Sequence, residues 1–198
     1  MRLSHSRPDP RTNEGGQSLV EFAVVFPLFW IVLIALIEFA FAFQSVLAVS
    51  FSSRNAAVIA AEAGPAGMAD CAILRSIEGD LTAPSSPSQV QKVDIYWTDS
   101  NGVVRSGATT TYTRSTSATI PCTVNGTSFT VPYSLTANGY PIASRCAIRS
   151  GCAGHVGVDT IGVKITYRYL FHTPYGNVLG GTGWTLERSS EMRMEPYQ

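Results

Sequence analysis

The fold is decided by an apolar stretch near the N-terminus, which reads Phe22-Ala-Val-Val-Phe-Pro-Leu-Phe-Trp-Ile-Val-Leu-Ile-Ala-Leu-Ile-Glu-Phe-Ala-Phe-Ala-Phe43. Its 22 residues carry one charge, that of Glu38. As a helix it would measure about 33 Å, which is enough to cross a hydrocarbon core of about 30 Å. A buried core helix is the alternative, but the stretch is apolar on every face. The sequence therefore predicts a transmembrane helix.

The composition fits a protein attached to a membrane or exported across one. Lys and Arg count 14, as do Asp and Glu, so the formal net charge is zero. Charged residues make up 14% of the chain, against about 25% in typical soluble domains. This balance argues against a nucleic-acid binder, a disordered tail and a cytosolic enzyme.

The basic residues beside the apolar stretch predict its orientation. No Lys or Arg occurs between Arg11 and Arg54, whereas the short N-terminal segment holds Arg2, Arg7 and Arg11. Basic residues in a short flank favour the cytoplasmic side of a membrane. We therefore expect a single-pass protein whose N-terminus is cytoplasmic and whose remaining chain lies outside the cytoplasm.

A cleaved secretory signal peptide is the main alternative for this segment. Ala40-Phe41-Ala42 resembles an A-x-A cleavage site. The apolar run is longer than the 7–15 residues or so of a signal core, however, and Glu38 lies just before the site. We therefore favour a retained membrane helix.

The four cysteines all lie in the part expected outside the cytoplasm, at positions Cys71, Cys122, Cys146 and Cys152. An even number of cysteines in an exported domain indicates two disulfides, for which three pairings are possible. The short spacing favours a Cys146–Cys152 bond, which leaves Cys71 to pair with Cys122.

A processing motif precedes the apolar stretch and reads Gly15-Gly16-Gln17-Ser18-Leu19-Val20-Glu21-Phe22. It resembles the class III signal of the type IV pilin superfamily. The resemblance implies that a prepilin peptidase cuts between Gly16 and Gln17, which places Glu21 at mature position five. In pilin assembly a glutamate there pairs with the new α-amino group of a neighbouring subunit. The alternative is that Glu21 is an ordinary interfacial residue favoured by the helix dipole.

A second resemblance is more specific. The string Gly16-Gln-Ser-Leu-Val-Glu-Phe-Ala-Val-Val-Phe-Pro27, followed by Ile37-Glu38-Phe39, is similar to the TadE-like family, minor pseudopilin-like proteins of the tight-adherence (Tad/Flp) pilus. The C-terminal strings Thr173-Pro174-Tyr175 and Trp184 to Pro196 are also similar to that family. The resemblance implies assembly or subunit contacts at Glu21, Phe22, Pro27 and Glu38.

Two of these residues have alternative interpretations. Pro27 should bend the helix, either to help the subunit leave the bilayer or as a harmless kink. Glu38 lies 17 residues past Glu21, about 26 Å along a helix. It either binds a partner or simply reaches water near the outer headgroups.

Beyond the membrane, the pattern predicts an α+β domain. The helix should continue to Ala63 and end at Gly64-Pro65, and a short helix should span residues 69–80. Alternation with a period of two predicts strands around residues 92–97, 161–169 and 184–194. Asn125-Gly126 predicts a turn between two further strands, 118–124 and 128–133. Ser and Thr supply 17 of the 39 residues from Thr98 to Thr136, so we expect exposed structure there. An antiparallel sheet packed on the helix should result.

The sequence therefore divides into a cytoplasmic leader (1–16), a transmembrane helix with its extension (17–63), and an extracytoplasmic α+β domain (64–198). We expect no enzyme activity, because no nucleophile or nucleotide motif occurs. The spacing of Cys146, Cys152 and His155 is not a usual zinc pattern, so we expect no metal or cofactor.

The expected function is that of a minor pilin or pseudopilin of a Tad-type pilus, acting in assembly, priming or tip formation and so in surface adherence. Expected partners are the membrane, the prepilin peptidase, other minor pilins, the major Flp pilin and the Tad inner-membrane platform, but no nucleic acid. The protein would reside in the bacterial inner membrane, with its C-terminal domain in the periplasm, or become part of an extracellular pilus. An uncleaved, membrane-anchored scaffold or binding protein of the secretion machine is the alternative.

Overall fold

The computed structural model of the chain describes residues 14–99, 101–173, 176, 181 and 183–196. Most of the predicted leader, as well as Pro174 and Tyr175 of the C-terminal motif, lies outside the described residues. The chain divides into two compact units, Met1–Ala40 and Phe41–Gln198.

A single long helix, α1 (Glu14–Ala63), contains the apolar stretch and the alanine-rich segment that follows it. It ends where the sequence predicts. Gly64 has a φ of 51°, and its N–H donates to the carbonyl of Ala60 at 3.0 Å. Glycine adopts this left-handed conformation without steric cost, so it closes the helix.

The C-terminal half of α1 belongs to the second unit and buries a face of small side chains. This face consists of Ala42, Ser45, Val49, Ser52, Ser53, Ala56, Ala57, Ala60 and Ala61. Its spacing of three and four residues is that of one side of a helix. Small side chains let the helix backbone approach its neighbours, and the serine hydroxyls reach across. Ser53 Oγ lies 3.2 Å from Ser190 Oγ, and Ser85 Oγ donates to Ser45 Oγ at 3.2 Å.

The second helix and the main strands form the expected α+β architecture. Helix α2 spans Ala69–Asp80, as predicted, and buries Ile73, Leu74 and Ile77. The five-stranded antiparallel sheet consists of β1 (Val90–Thr98), β2 (Val104–Arg114), β5 (Tyr133–Asn138), β6 (Thr160–Leu170) and β7 (Gly183–Arg193). Their order across the sheet is β5-β2-β1-β6-β7.

Strand β6, which lies between β1 and β7, contributes five residues to the core from one face. Ile161, Val163, Ile165, Tyr167 and Tyr169 alternate along it and are all fully buried, as the period of two predicts. β1 lies beside β6, with Val93 opposite Ile165 and Ile95 opposite Val163. Apolar pairs of this kind hold the centre of the sheet together.

A separate two-stranded hairpin consists of β3 (Ile120–Val124) and β4 (Thr127–Val131). Asn125 and Gly126 have φ values of 50° and 77°. Positive φ at both central residues is the geometry of the tight hairpin turn that an Asn-Gly pair favours, so the predicted turn is confirmed.

The prediction that residues 98–136 are exposed structure is wrong at particular positions. Thr110, Tyr112, Cys122, Val131 and Tyr133 are all buried. The predicted strand 128–133 is in fact two elements. Val131 ends β4, and Tyr133 begins β5 in the larger sheet. Pro132, which lacks an N–H and is disfavoured inside a ladder, lies between them.

Candidate functional site

The two residues of the candidate cleavage site lie in the first turns of α1. Gly16 and Gln17 are both exposed and helical. A Cβ atom added to Gly16 would meet no heavy atom within 4 Å. The structure therefore leaves space for a side chain there, and a requirement for glycine would come from an enzyme that handles the segment.

Glu21 is exposed, and its carboxylate accepts a hydrogen bond from Gln17 within the same helix. The Gln17 Nε2 atom lies 3.1 Å from Glu21 Oε1. Residues four apart face each other on a helix, so the motif itself places these two side chains together. The carboxylate thus has a neutral donor and can accept a charged one instead.

Phe22 begins a row of aromatic side chains that the sequence analysis did not predict. The Phe22 and Phe26 ring centroids are 5.2 Å apart, and those of Phe26 and Trp30 are 6.0 Å apart. All three side chains are exposed. The spacing of four residues between successive rings indicates this row, because residues four apart lie along one face of a helix.

Pro27 lies beside this row, and α1 is helical on both sides of it. Because proline has no N–H, the carbonyl of Ala23 lacks its usual donor four residues on. The expected bend and its use in assembly stay predictions.

Glu38 differs from Glu21 in its surroundings. Its exposed fraction is 6%, whereas Glu21 is exposed, and Glu38 has an interaction partner. A carboxylate that is so deeply buried needs a hydrogen-bond or charged partner to offset the cost of removing it from water. The two glutamates are about 26 Å apart along the helix, so they do not form a common site.

The four cysteines form two disulfides, which fits the expected pairing. Cys71 of α2 is bonded to Cys122 of β3, and Cys146 is bonded to Cys152. The first bond attaches the hairpin to α2. The second closes a short loop between β5 and β6.

A buried ion pair lies next to both disulfides. Asp70 precedes Cys71, and Arg145 precedes Cys146. The Arg145 Nη2 atom lies 2.5 Å from Asp70 Oδ1, and Tyr112 Oη donates to Asp70 Oδ2 at 2.7 Å. The exposed fractions of Asp70 and Arg145 are 6% and 3%. Burial, together with the adjacent Asp70 carboxylate, raises the pKa of Tyr112.

A second buried carboxylate organises the loop that follows Cys146. Asp159 accepts hydrogen bonds from Tyr140 Oη at 2.6 Å and from the Cys146 backbone N–H at 2.9 Å. His155 Nδ1 lies 2.5 Å from its other oxygen. Burial and the bond to Asp159 raise the pKa of Tyr140.

The position of His155 argues for a structural role. Its ring stacks on Trp97 with the centroids 4.1 Å apart, and Arg105 covers Trp97 at 4.0 Å. The sequence did not reveal this cluster, because its members are distant in the chain and lack a characteristic spacing. Among the described residues, no group of three or more His, Cys, Asp or Glu side chains is arranged to hold a metal ion.

A third polar cluster joins α2 to the sheet. Arg114 of β2 donates to both carboxylate oxygens of Glu78, at 2.6 and 3.2 Å. Tyr133 Oη donates to Glu78 Oε1 at 2.6 Å. Burial lowers the pKa of Arg114, but the Glu78 carboxylate more than offsets this and raises it. Burial and Glu78 also raise the pKa of Tyr133.

The site that carries functional information is thus the N-terminal part of α1. The segment Gly16–Ala63 contains a window long and apolar enough to cross a membrane, and none of that window is buried in the protein. Residues 16–58 match the family model described as TadE-like protein. No curated protein and no solved structure matches the chain. The chain is therefore similar to TadE-like proteins over these residues, which confirms the resemblance predicted from its sequence.

Proposed function

We propose that the chain is a minor pilin or pseudopilin of a Tad-type (Flp) type IV pilus, acting in pilus assembly, priming or tip formation and so in surface adherence. The observation that carries this proposal is the position of the Gly16–Glu21 motif. The motif opens a continuous helix, which passes through an apolar span and then packs on an α+β domain. The family match to residues 16–58 supports an association with the Tad pilus.

In this proposal the prepilin peptidase cuts after Gly16, and Gln17 becomes the N-terminus. The Glu21 carboxylate then exchanges the Gln17 amide for the α-amino group of a neighbouring subunit. Charged donors form stronger hydrogen bonds than neutral ones do, so the exchange favours assembly. The remaining partners are other minor pilins, the major Flp pilin and the Tad inner-membrane platform. The domain lies in the periplasm until the subunit enters a pilus.

An uncleaved, membrane-anchored scaffold of the same machine is the second candidate. The observation that favours it is the helical backbone at Gly16 and Gln17, since a peptidase needs its substrate in an extended form. Cleavage therefore requires the first turns of α1 to unwind, which costs little at a helix end, where the first N–H groups lack partners.

The intact mass of the purified protein separates the two candidates. Expressed with a prepilin peptidase, the chain should lose residues 1–16, and Gly16→Val should abolish the trimming. Since a side chain at Gly16 has free space, loss of cutting would reflect enzyme recognition. Gly79→Val, which should leave trimming intact, is a matched control, because Gly79 is also an exposed helical glycine with no neighbour within 4 Å of an added Cβ. A wild-type chain that keeps its first 16 residues would contradict the pilin proposal and support the scaffold.

A further inference from the structure

A cluster of rings includes Phe41, one of the last residues of the apolar span. It consists of Phe41 of α1, Tyr169 of β6, Phe171 and His172 just after β6, and Trp184 of β7. The His172 ring lies 5.2 Å from that of Phe41 and 5.6 Å from that of Tyr169. Phe171 packs edge-on against Trp184 at 5.1 Å. We call these five residues the aromatic cluster.

The aromatic cluster is open to its surroundings on one side. Tyr169 is fully buried, whereas the exposed fraction of Trp184 is 48%. Leu170, which follows Tyr169 in the chain, and Phe43, two residues after Phe41, are 39% and 57% exposed. Trp184 shares a face of the sheet with its pair Tyr169, and Leu170 lies on the opposite face because side chains alternate along a strand. Large apolar side chains are thus exposed on both faces at this end of the sheet, where contact with water is unfavourable.

The chemistry of the aromatic cluster is mixed rather than purely apolar. Tyr169 Oη and His172 Nδ1 lie 3.4 Å apart, and the indole of Trp184 carries an N–H donor. Rings with one polar end are enriched at the headgroup level of membranes, where the ring body contacts acyl chains and the polar end stays hydrated.

The aromatic cluster also lies at one particular end of the domain. Trp184 pairs with Tyr169 in the sheet, and Trp97 pairs with Ile161. Eight residues of β6 separate these two positions, which corresponds to about 26 Å. Phe41 and Phe43 are among the last residues of the apolar span, so the aromatic cluster lies at the end of the sheet that contacts Phe41.

We propose that the aromatic cluster inserts into the lipid headgroup layer on the outer face of the membrane that α1 crosses. Trp184 and Leu170 are the inserted side chains. Continuity with the apolar span favours lipid as the occupant, because a membrane that surrounds the span up to Phe43 necessarily reaches the rings in contact with Phe41. This inference rests on the membrane anchoring in the proposed function.

Three single-tryptophan variants of the full chain test the inference in phosphatidylcholine vesicles. The chain has three tryptophans, so double replacement by Phe leaves Trp30, Trp97 or Trp184 alone. The probes are lipids brominated at a shallow or a deep acyl position. We expect the shallow lipid to quench Trp184 at least about twofold more than the deep lipid does, since interfacial indoles lie near the headgroups. Trp97 should be quenched by neither lipid.

Trp30 distinguishes failure of this inference from failure of the anchoring. Quenching of Trp30 by the deep lipid, without quenching of Trp184 by either lipid, would overturn the inference and leave the membrane span intact. Absence of quenching at Trp30 would overturn the anchoring as well. A third outcome is that Trp184 is protected from aqueous iodide but is not quenched by lipid. If that protection is lost when the protein is diluted in the vesicles, the exposed side chains contact a second copy of the chain, and the inference is overturned. Intact disulfides by mass spectrometry confirm that each variant is folded.

Discussion

Glu21 and its donor Gln17 are the pair of residues on which the assembly proposal depends most directly. Glu21→Gln keeps an acceptor for the Gln17 amide but removes the negative charge. We expect normal membrane insertion and trimming, and a loss of pilus incorporation of about tenfold or more, since a hydrogen bond to a charged group contributes about 1.5–3 kcal/mol. Immunoblotting of sheared pili measures incorporation. Glu62→Gln, an exposed acid on the same helix, is the control, and equal piliation in both variants would contradict the role of Glu21.

Asp70 has a structural role, because its carboxylate forms an ion pair with the buried Arg145 side chain. Asp70→Asn leaves a buried guanidinium without its counter-charge, so we expect the free energy of unfolding to fall by about 3–5 kcal/mol. Thermal unfolding of the full chain in detergent measures the loss. Lys164→Gln is the matched control. Its ammonium lies 3.5 Å from Asp94 with a side chain 35% exposed, and its removal should cost at most about 1 kcal/mol. Similar losses in the two variants would show that the buried pair has no special role.

Several helices, strands and turns could be predicted from local sequence patterns. The core face of β6, the bounds of α2 and the Asn125-Gly126 turn all follow from local periodicity or turn chemistry. The position of β5 does not, because β5 pairs with β2 through contacts that no local pattern encodes. The pairing of Asp70 with Arg145 was missed for the same reason, since 75 residues separate them in the chain.

The two disulfides should differ in what they contribute to the elements they join. Cys71 and Cys122 are separated by 51 residues, and Cys146 and Cys152 by only 6. Closing the longer loop removes more conformational entropy from the unfolded chain, which corresponds to about 2 kcal/mol of additional stabilisation. Replacing the first pair by alanine should therefore lower the thermal midpoint more than replacing the second pair, as measured by calorimetry. Equal decreases would argue that the stabilisation is local to each bond.

The molecule as a whole should lose stability in alkali. Tyr112, Tyr133 and Tyr140 have raised pKa values in the folded state, whereas an unfolded tyrosine ionises near pH 10. Their contribution is complete below about pH 10 and is lost as the pH rises towards the folded-state values, because only the unfolded chain releases these protons readily. Urea unfolding from pH 8 to pH 11 should show this decrease, and Tyr140→Phe should make it shallower. A stability independent of pH above 10 would contradict the burial of these hydroxyls.

The small-residue face of α1 also has a mechanical consequence. Residues 41–63 pack along the domain with Ala and Ser side chains, and hydroxyl pairs and a backbone bond from Glu195 to Ala61 link them to it. A tensile load applied along the helix axis at Phe41 acts parallel to this interface. The load therefore shears all the contacts together instead of peeling them off one at a time. Packing of this kind would resist a pull on the helix better than a flexible tether would.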